Sequence, residues 1–134
     1  MTTMPLAGRP PRIMLLWFEP SILGLLHDVL RLEGYPITAT QSARRAINRI
    51  VHTTHPYVVL MDNFHLGHEA RALAAKVFAT PELHERVRVI GLNAQRSPQL
   101  IALDAFIGMP FTVEGLLDPI AAACADLRAT MGGP

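Results

Sequence analysis

Short apolar runs alternating with amphipathic stretches constrain the fold of this chain more than any other feature of the sequence. Ile13 to Trp17 (IMLLW) is apolar, and its length and flanking prolines predict a buried strand. Ser21 can cap a helix behind it, on which Ile22, Leu25, Leu26, Val29 and Leu30 recur at helical spacing before Gly34 ends it. Ile37 to Thr40 predicts a second strand. Ser42 then caps a helix striped by Ala43, Ala46, Ile47, Ile50 and Val51. Tyr57 to Met61 (YVVLM) is β-branched and aromatic, and stops at Asp62-Asn63. A third helix carries Ala70, Leu73, Ala74, Val77 and Phe78, with Pro81 just past it. Val87 to Leu92 predicts a fourth strand and Phe106-Ile107 a short fifth. Thr112 caps a last helix with Val113, Leu116, Leu117, Ile120, Cys124 and Leu127 on one side.

Strands that alternate with helices in this way imply an α/β fold: a parallel sheet covered on both faces and joined by right-handed crossovers. Working sites in such sheets lie at the carboxyl ends of the strands. The 134 residues suffice for one domain with a real core. Residues 12–130 are expected to form it, with loose tails at 1–11 and 131–134.

Composition excludes several classes. A formal net charge of +1 does not point to nucleic acid or an anionic membrane as the main partner. Arg44, Arg45 and Arg49 form a small basic cluster, read as a solvated helix face. No run approaches the about 20 apolar residues of a membrane helix, and no signal peptide is visible at the start. The single cysteine, Cys124, sits in an apolar helical run and reads as a packed residue. This pattern suits a reducing, cytoplasmic setting. His65, His68 and Glu69 follow Asp62, and His52 and His55 flank Thr53-Thr54. Neither set has the spacing of a full metal site, and ordinary loop and helix-end histidines are expected. No Ser/His/Asp signature, glycine-rich phosphate loop or cysteine pair is present, and the chain is not expected to be an enzyme.

Two segments are more specific: Tyr57-Val-Val-Leu-Met-Asp62 and Met109-Pro110-Phe111. With Ile13-Met-Leu-Leu-Trp17-Phe18-Glu19-Pro20, they resemble the receiver domains of two-component response regulators, over the span from Ile13 to Leu127. The resemblance implies a doubly wound, flavodoxin-like sheet of five parallel strands in the order 2-1-3-4-5. Asp62 falls on the phosphoacceptor position, Phe106 on the switch aromatic, and Pro110 on a proline that usually follows a cis bond. The other positions depart from the family. Its acidic, Mg²⁺-binding pair is here Trp17-Phe18. Its lysine is Met109, and its Ser or Thr after the fourth strand is Asn93. Glu19, beside the replaced pair, is a carboxylate able to compensate. Only Ser97 to about Ala102 remains for a fourth helix, which is expected to be short or absent.

Transfer of a phosphoryl group to a carboxylate relies on positioning and charge neutralisation. Two aromatics and a methionine supply neither, so Mg²⁺ binding is expected to be weak or lost, with no other cofactor. The expected function is a stand-alone degenerate receiver that acts through protein–protein contacts in signalling. Its partner would be a histidine kinase, an output protein or a second copy of itself. Two alternatives remain: a working acceptor at Asp62 in a phosphorelay, and a ligand sensor whose pocket is lined by Trp17, Phe18, Phe64 and Met109.

Overall fold

The computed structural model describes residues 11–16, 19–62, 68–92, 103–108 and 111–131. Five strands, β1 (Arg12–Leu16), β2 (Ile37–Thr40), β3 (Tyr57–Asp62), β4 (Val87–Leu92) and β5 (Ala105–Ile107), form one sheet in the order β2-β1-β3-β4-β5. Every neighbouring pair is parallel. Among the described residues the helices are α1 (Pro20–Leu32), α2 (Ala43–Val51), α3 (His68–Ala79), the single turn α4 (Pro81–His84) and, after β5, α5 (Val113–Met131). This is the expected doubly wound order.

Strand alternation explains why helices cover both faces. Ile13, Leu15, Val58, Leu60, Ile90 and Leu92 point to one side and pack against Leu26 and Leu30 of α1 and Leu116, Ile120, Cys124 and Leu127 of α5. Met14, Leu16, Val59, Met61, Val87 and Val89 point to the other, against Ala46 and Ile50 of α2 and Leu73 and Val77 of α3. Burial of both sides accounts for the continuous apolar runs Ile13–Leu16 in β1 and Tyr57–Met61 in β3.

Most element ends follow from local chemistry. The Ser42 hydroxyl accepts from the Arg45 amide at 3.2 Å and opens α2. The Thr112 hydroxyl accepts from Gly115 at 2.9 Å and opens α5. Gly34, at φ 85°, closes α1. There the Tyr35 amide donates to the Leu30 carbonyl at 3.2 Å and the Gly34 amide to the Arg31 carbonyl at 2.9 Å, the paired bonds of a Schellman ending.

Two ends differ from expectation. Helix α1 starts earlier than a Ser21 cap would allow. Glu19 is its N-cap and makes no side-chain capping bond, while Pro20 fills the first turn with its φ already helical. Pro81 does not merely follow α3 but starts the extra turn α4, in which the Thr80 carbonyl accepts from Leu83 and His84 at 2.9 and 3.0 Å. The expected short helix at Ser97 to Ala102 lies outside the described residues, as do the expected positions of Trp17 and Pro110.

Candidate functional site

Register brings the strand ends to one edge. Leu16 of β1 pairs with Met61, and Asp62, the last residue of β3, pairs with Leu92 at the end of β4. Leu92 in turn pairs with Ile107 at the end of β5. Asp62 is thus a half-buried carboxylate at the carboxyl edge of the central strand. Glu19 is exposed at the start of α1, on the chain that leaves β1. Phe106 lies mid-β5, half-buried, in register with Gly91. Phe111, which ends the Met-Pro-Phe motif, packs against the core on the α1 and α5 side. Trp17, Phe18, Asn93, Met109, Pro110, Phe64 and His65 lie outside the described residues, as do the side chains of His68 and Glu69. Among the described residues, no group of three His, Cys, Asp or Glu is placed to hold a metal ion.

Cys124 is buried, and burial pushes its thiol above the ordinary value. Tyr35 lies beside it; burial first, and then the neighbouring thiol, push the Tyr35 hydroxyl above its ordinary value. A thiol held protonated in the core is a packing residue, not a nucleophile.

The amino edge of the sheet holds polar groups that sequence reasoning missed. Arg88, second in β4, is 6% exposed. Its Nε donates to Asp126 of α5 at 2.7 Å, and its terminal nitrogens donate to the Thr130 hydroxyl at 3.3 Å and to the carbonyls of Val87 and His84. Asp104, just before β5, accepts from the Val89 amide at 2.7 Å and from His84 Nε2 at 2.9 Å. The signal was an arginine in the phase of Val-Arg-Val-Ile-Gly-Leu that faces α5.

The basic cluster also changes character in three dimensions. Arg45, Arg49 and His52 line a cleft of about 590 Å³ that Arg12 and Tyr57, from the starts of β1 and β3, complete. Arg44 is exposed and does not line it. His55 reaches the same cleft, its ring edge-on to Tyr57 with centroids 6.4 Å apart.

With this geometry in view, the likeness to solved structures is clear. The signal receiver domain of an HD domain-containing protein from Pseudomonas fluorescens Pf-5 superposes with a TM-score of 0.77 at 17% identity, over 100% of this chain and 98% of that one. The receiver domain of sensor histidine kinase PA1611 from Pseudomonas aeruginosa PAO1, solved with a magnesium ion in its active-site cleft, gives 0.74 at 15% identity, over 87% and 99%. The beryllofluoride-activated NtrC4 receiver domain dimer gives 0.70 at 22% identity, over 87% and 98%. No protein-family model matches the sequence, and no curated protein does. The chain has the receiver-domain fold. Among the described residues no helix is long and apolar enough to cross a membrane.

Proposed function

We propose that this chain is a degenerate receiver domain that signals through protein–protein contacts, without Mg²⁺-dependent phosphorylation. The donor set carries the reading. Asp62 brings one carboxylate to the carboxyl edge, whereas the two residues that follow β1 in sequence are Trp17 and Phe18. Mg²⁺ takes oxygen ligands in near-octahedral geometry. Indole and phenyl groups offer none, so the residues present do not suit that ion. Met109 brings no positive charge to a developing phosphoryl anion. Loss of one such electrostatic group typically costs about 10²–10³ in rate.

Contact surfaces are available for the proposed role. Helix α1 keeps Leu25 and Leu32 exposed although Leu26 and Leu30 are buried, and Val113 is exposed at the start of α5. A partner kinase, an output protein or a second copy is the expected occupant. Asp62 itself favours a second reading, in which a donor supplies the missing charge and the carboxylate still accepts a phosphoryl group.

Fluorescence separates the two readings, because Trp17 is the only tryptophan. Mg²⁺ is titrated with and without beryllofluoride against wild type and Asp62→Asn. The degenerate reading predicts a flat response in both proteins. A saturable change in wild type that Asp62→Asn abolishes would overturn it in favour of the phosphoacceptor.

A further inference from the structure

We propose that the cleft at the amino edge of the sheet, between α2 and the starts of β1 and β3, binds a small ligand carrying two or more linked phosphate groups. It lies at the opposite end of the strands from Asp62, so the proposal goes beyond the signalling reading and does not depend on it.

Charge is the first observation. Arg12, Arg45 and Arg49 line the cleft, and among the described residues no Asp or Glu does. None of these arginines takes part in an ion pair among the described residues. Yet the whole chain carries 11 acidic groups against 12 Lys and Arg. A nearly neutral protein has gathered around one concavity three guanidinium groups that no carboxylate among the described residues pairs.

Helix stability accounts for only part of this. Arg49 lies in the last turn of α2 and His52 is its C-cap, where cations complement the helix dipole. Arg45 lies in the first turn, where the dipole disfavours a cation and no acidic residue offsets it. It also stands one turn before Arg49, a like-charge spacing that costs a few tenths of a kcal/mol in an isolated helix. Arg12 belongs to a different element and comes from the sheet. An anion between these elements would turn the repulsion into attraction.

The remaining lining is polar and includes Asn48, His52 and Thr53. His52 Nδ1 lies 2.8 Å from the Asn48 carbonyl. A carbonyl only accepts, so Nδ1 carries the proton, and the Nε2 of the neutral ring is then an acceptor. The Thr53 hydroxyl accepts from the His55 amide at 3.1 Å and keeps its own proton to donate. The Asn48 amide completes the set.

Size and spacing select the ligand. A volume of about 590 Å³ suits a small molecule. Arg45, Arg49 and His52 follow one helix face over a rise of about 10 Å, whereas Arg12 faces them from the sheet. A linked chain of phosphates can reach them, and guanidinium groups bind phosphate oxygens through paired donors.

The test is calorimetric titration of the full chain, without Mg²⁺, with inorganic phosphate, inorganic triphosphate, ATP and a single-stranded oligonucleotide. Arg45→Gln and Arg49→Gln alter exposed side chains and leave the core intact. Arg31→Gln on α1 is an equal charge change elsewhere. The proposal predicts saturable 1:1 binding of triphosphate or ATP, at least tenfold tighter than phosphate. Arg45→Gln and Arg49→Gln should each weaken it about tenfold, and Arg31→Gln should leave it unchanged. Equal affinity for triphosphate and ATP would mean that the phosphate chain alone is read. Tighter ATP binding would mean that the nucleoside adds contacts. Absence of saturable binding, an equal loss in Arg31→Gln, or tighter binding of the oligonucleotide would overturn the proposal.

Discussion

At the scale of single residues, Arg88 is the least ordinary choice in the chain. A guanidinium in the middle layer of a sheet must have its donors satisfied, and four oxygens from α4, β4 and α5 satisfy them. Its carboxylate partner is different, because the Asp126 side chain is 61% exposed. The two halves of the pair should therefore respond unequally to mutation. Arg88→Met keeps the packed stem and leaves Asp126 in water, so urea unfolding should place it within about 1 kcal/mol of wild type. Asp126→Ala leaves the guanidinium buried with only its neutral acceptors and should cost about 1–3 kcal/mol. Comparable losses in both variants would mean that the ion pair itself, and not the burial of one partner, sets the cost.

At the scale of elements, the sequence and the structure agree where a single local rule decides. Gly34, Ser42 and Thr112 each act within a few residues of themselves, and all three ends fall where the chain chemistry puts them. Pro20 and Pro81 each opened a helix, a role that competes with termination and depends on what the next turn can pack against. The places of Asp62 at the end of β3 and of Phe106 within β5 were legible because each lies on an apolar strand run. The amino edge was not legible. Arg12, Arg45 and Tyr57 come from three elements, and only the strand order brings them to one cleft. Pro119 went unremarked for the same reason that it matters: it sits inside α5, past the first turn, where it cannot donate to the Gly115 carbonyl. Packing of Leu116, Ile120 and Leu127 evidently holds the helix together around it. Pro119→Ala should raise stability by about 1–3 kcal/mol, read as a higher urea midpoint at unchanged slope. A lower midpoint would show that the proline shapes the helix to fit the sheet.

At the scale of the whole molecule, one face of the sheet couples folding to alkaline pH. Tyr35, after α1, and Cys124, in α5, are both held protonated above their ordinary values of 10.0 and 9.0, chiefly by burial. In the unfolded chain both groups lose their protons at lower pH than in the folded one. Over that interval the unfolded state binds fewer protons, so stability falls as pH rises. The contribution is complete below the ordinary cysteine value of 9.0 and is lost progressively above it, with tyrosine adding to the loss above 10.0. Denaturation midpoints should be flat from about pH 6 to 8 and then decline. Cys124→Ala and Tyr35→Phe should each make the decline shallower, whatever they do to the midpoint at neutral pH. An undiminished slope in both variants would assign the alkaline loss to other groups.

The strand order also decides where the sheet stops. Its three central strands, β1, β3 and β4, have five or six residues each, while β2 has four and β5 three. A sheet ends in a row of backbone groups able to recruit a strand from another molecule, and short borders give an incoming strand little to grip. The segments most prone to self-association in an extended form, Ile13 to Leu16 and Tyr57 to Met61, are enclosed between neighbours on both sides. Resistance to fibril growth in the folded state is thus a property of the winding itself. It would be lost first in any variant that lets β2 or β5 peel away and uncovers the strand behind it.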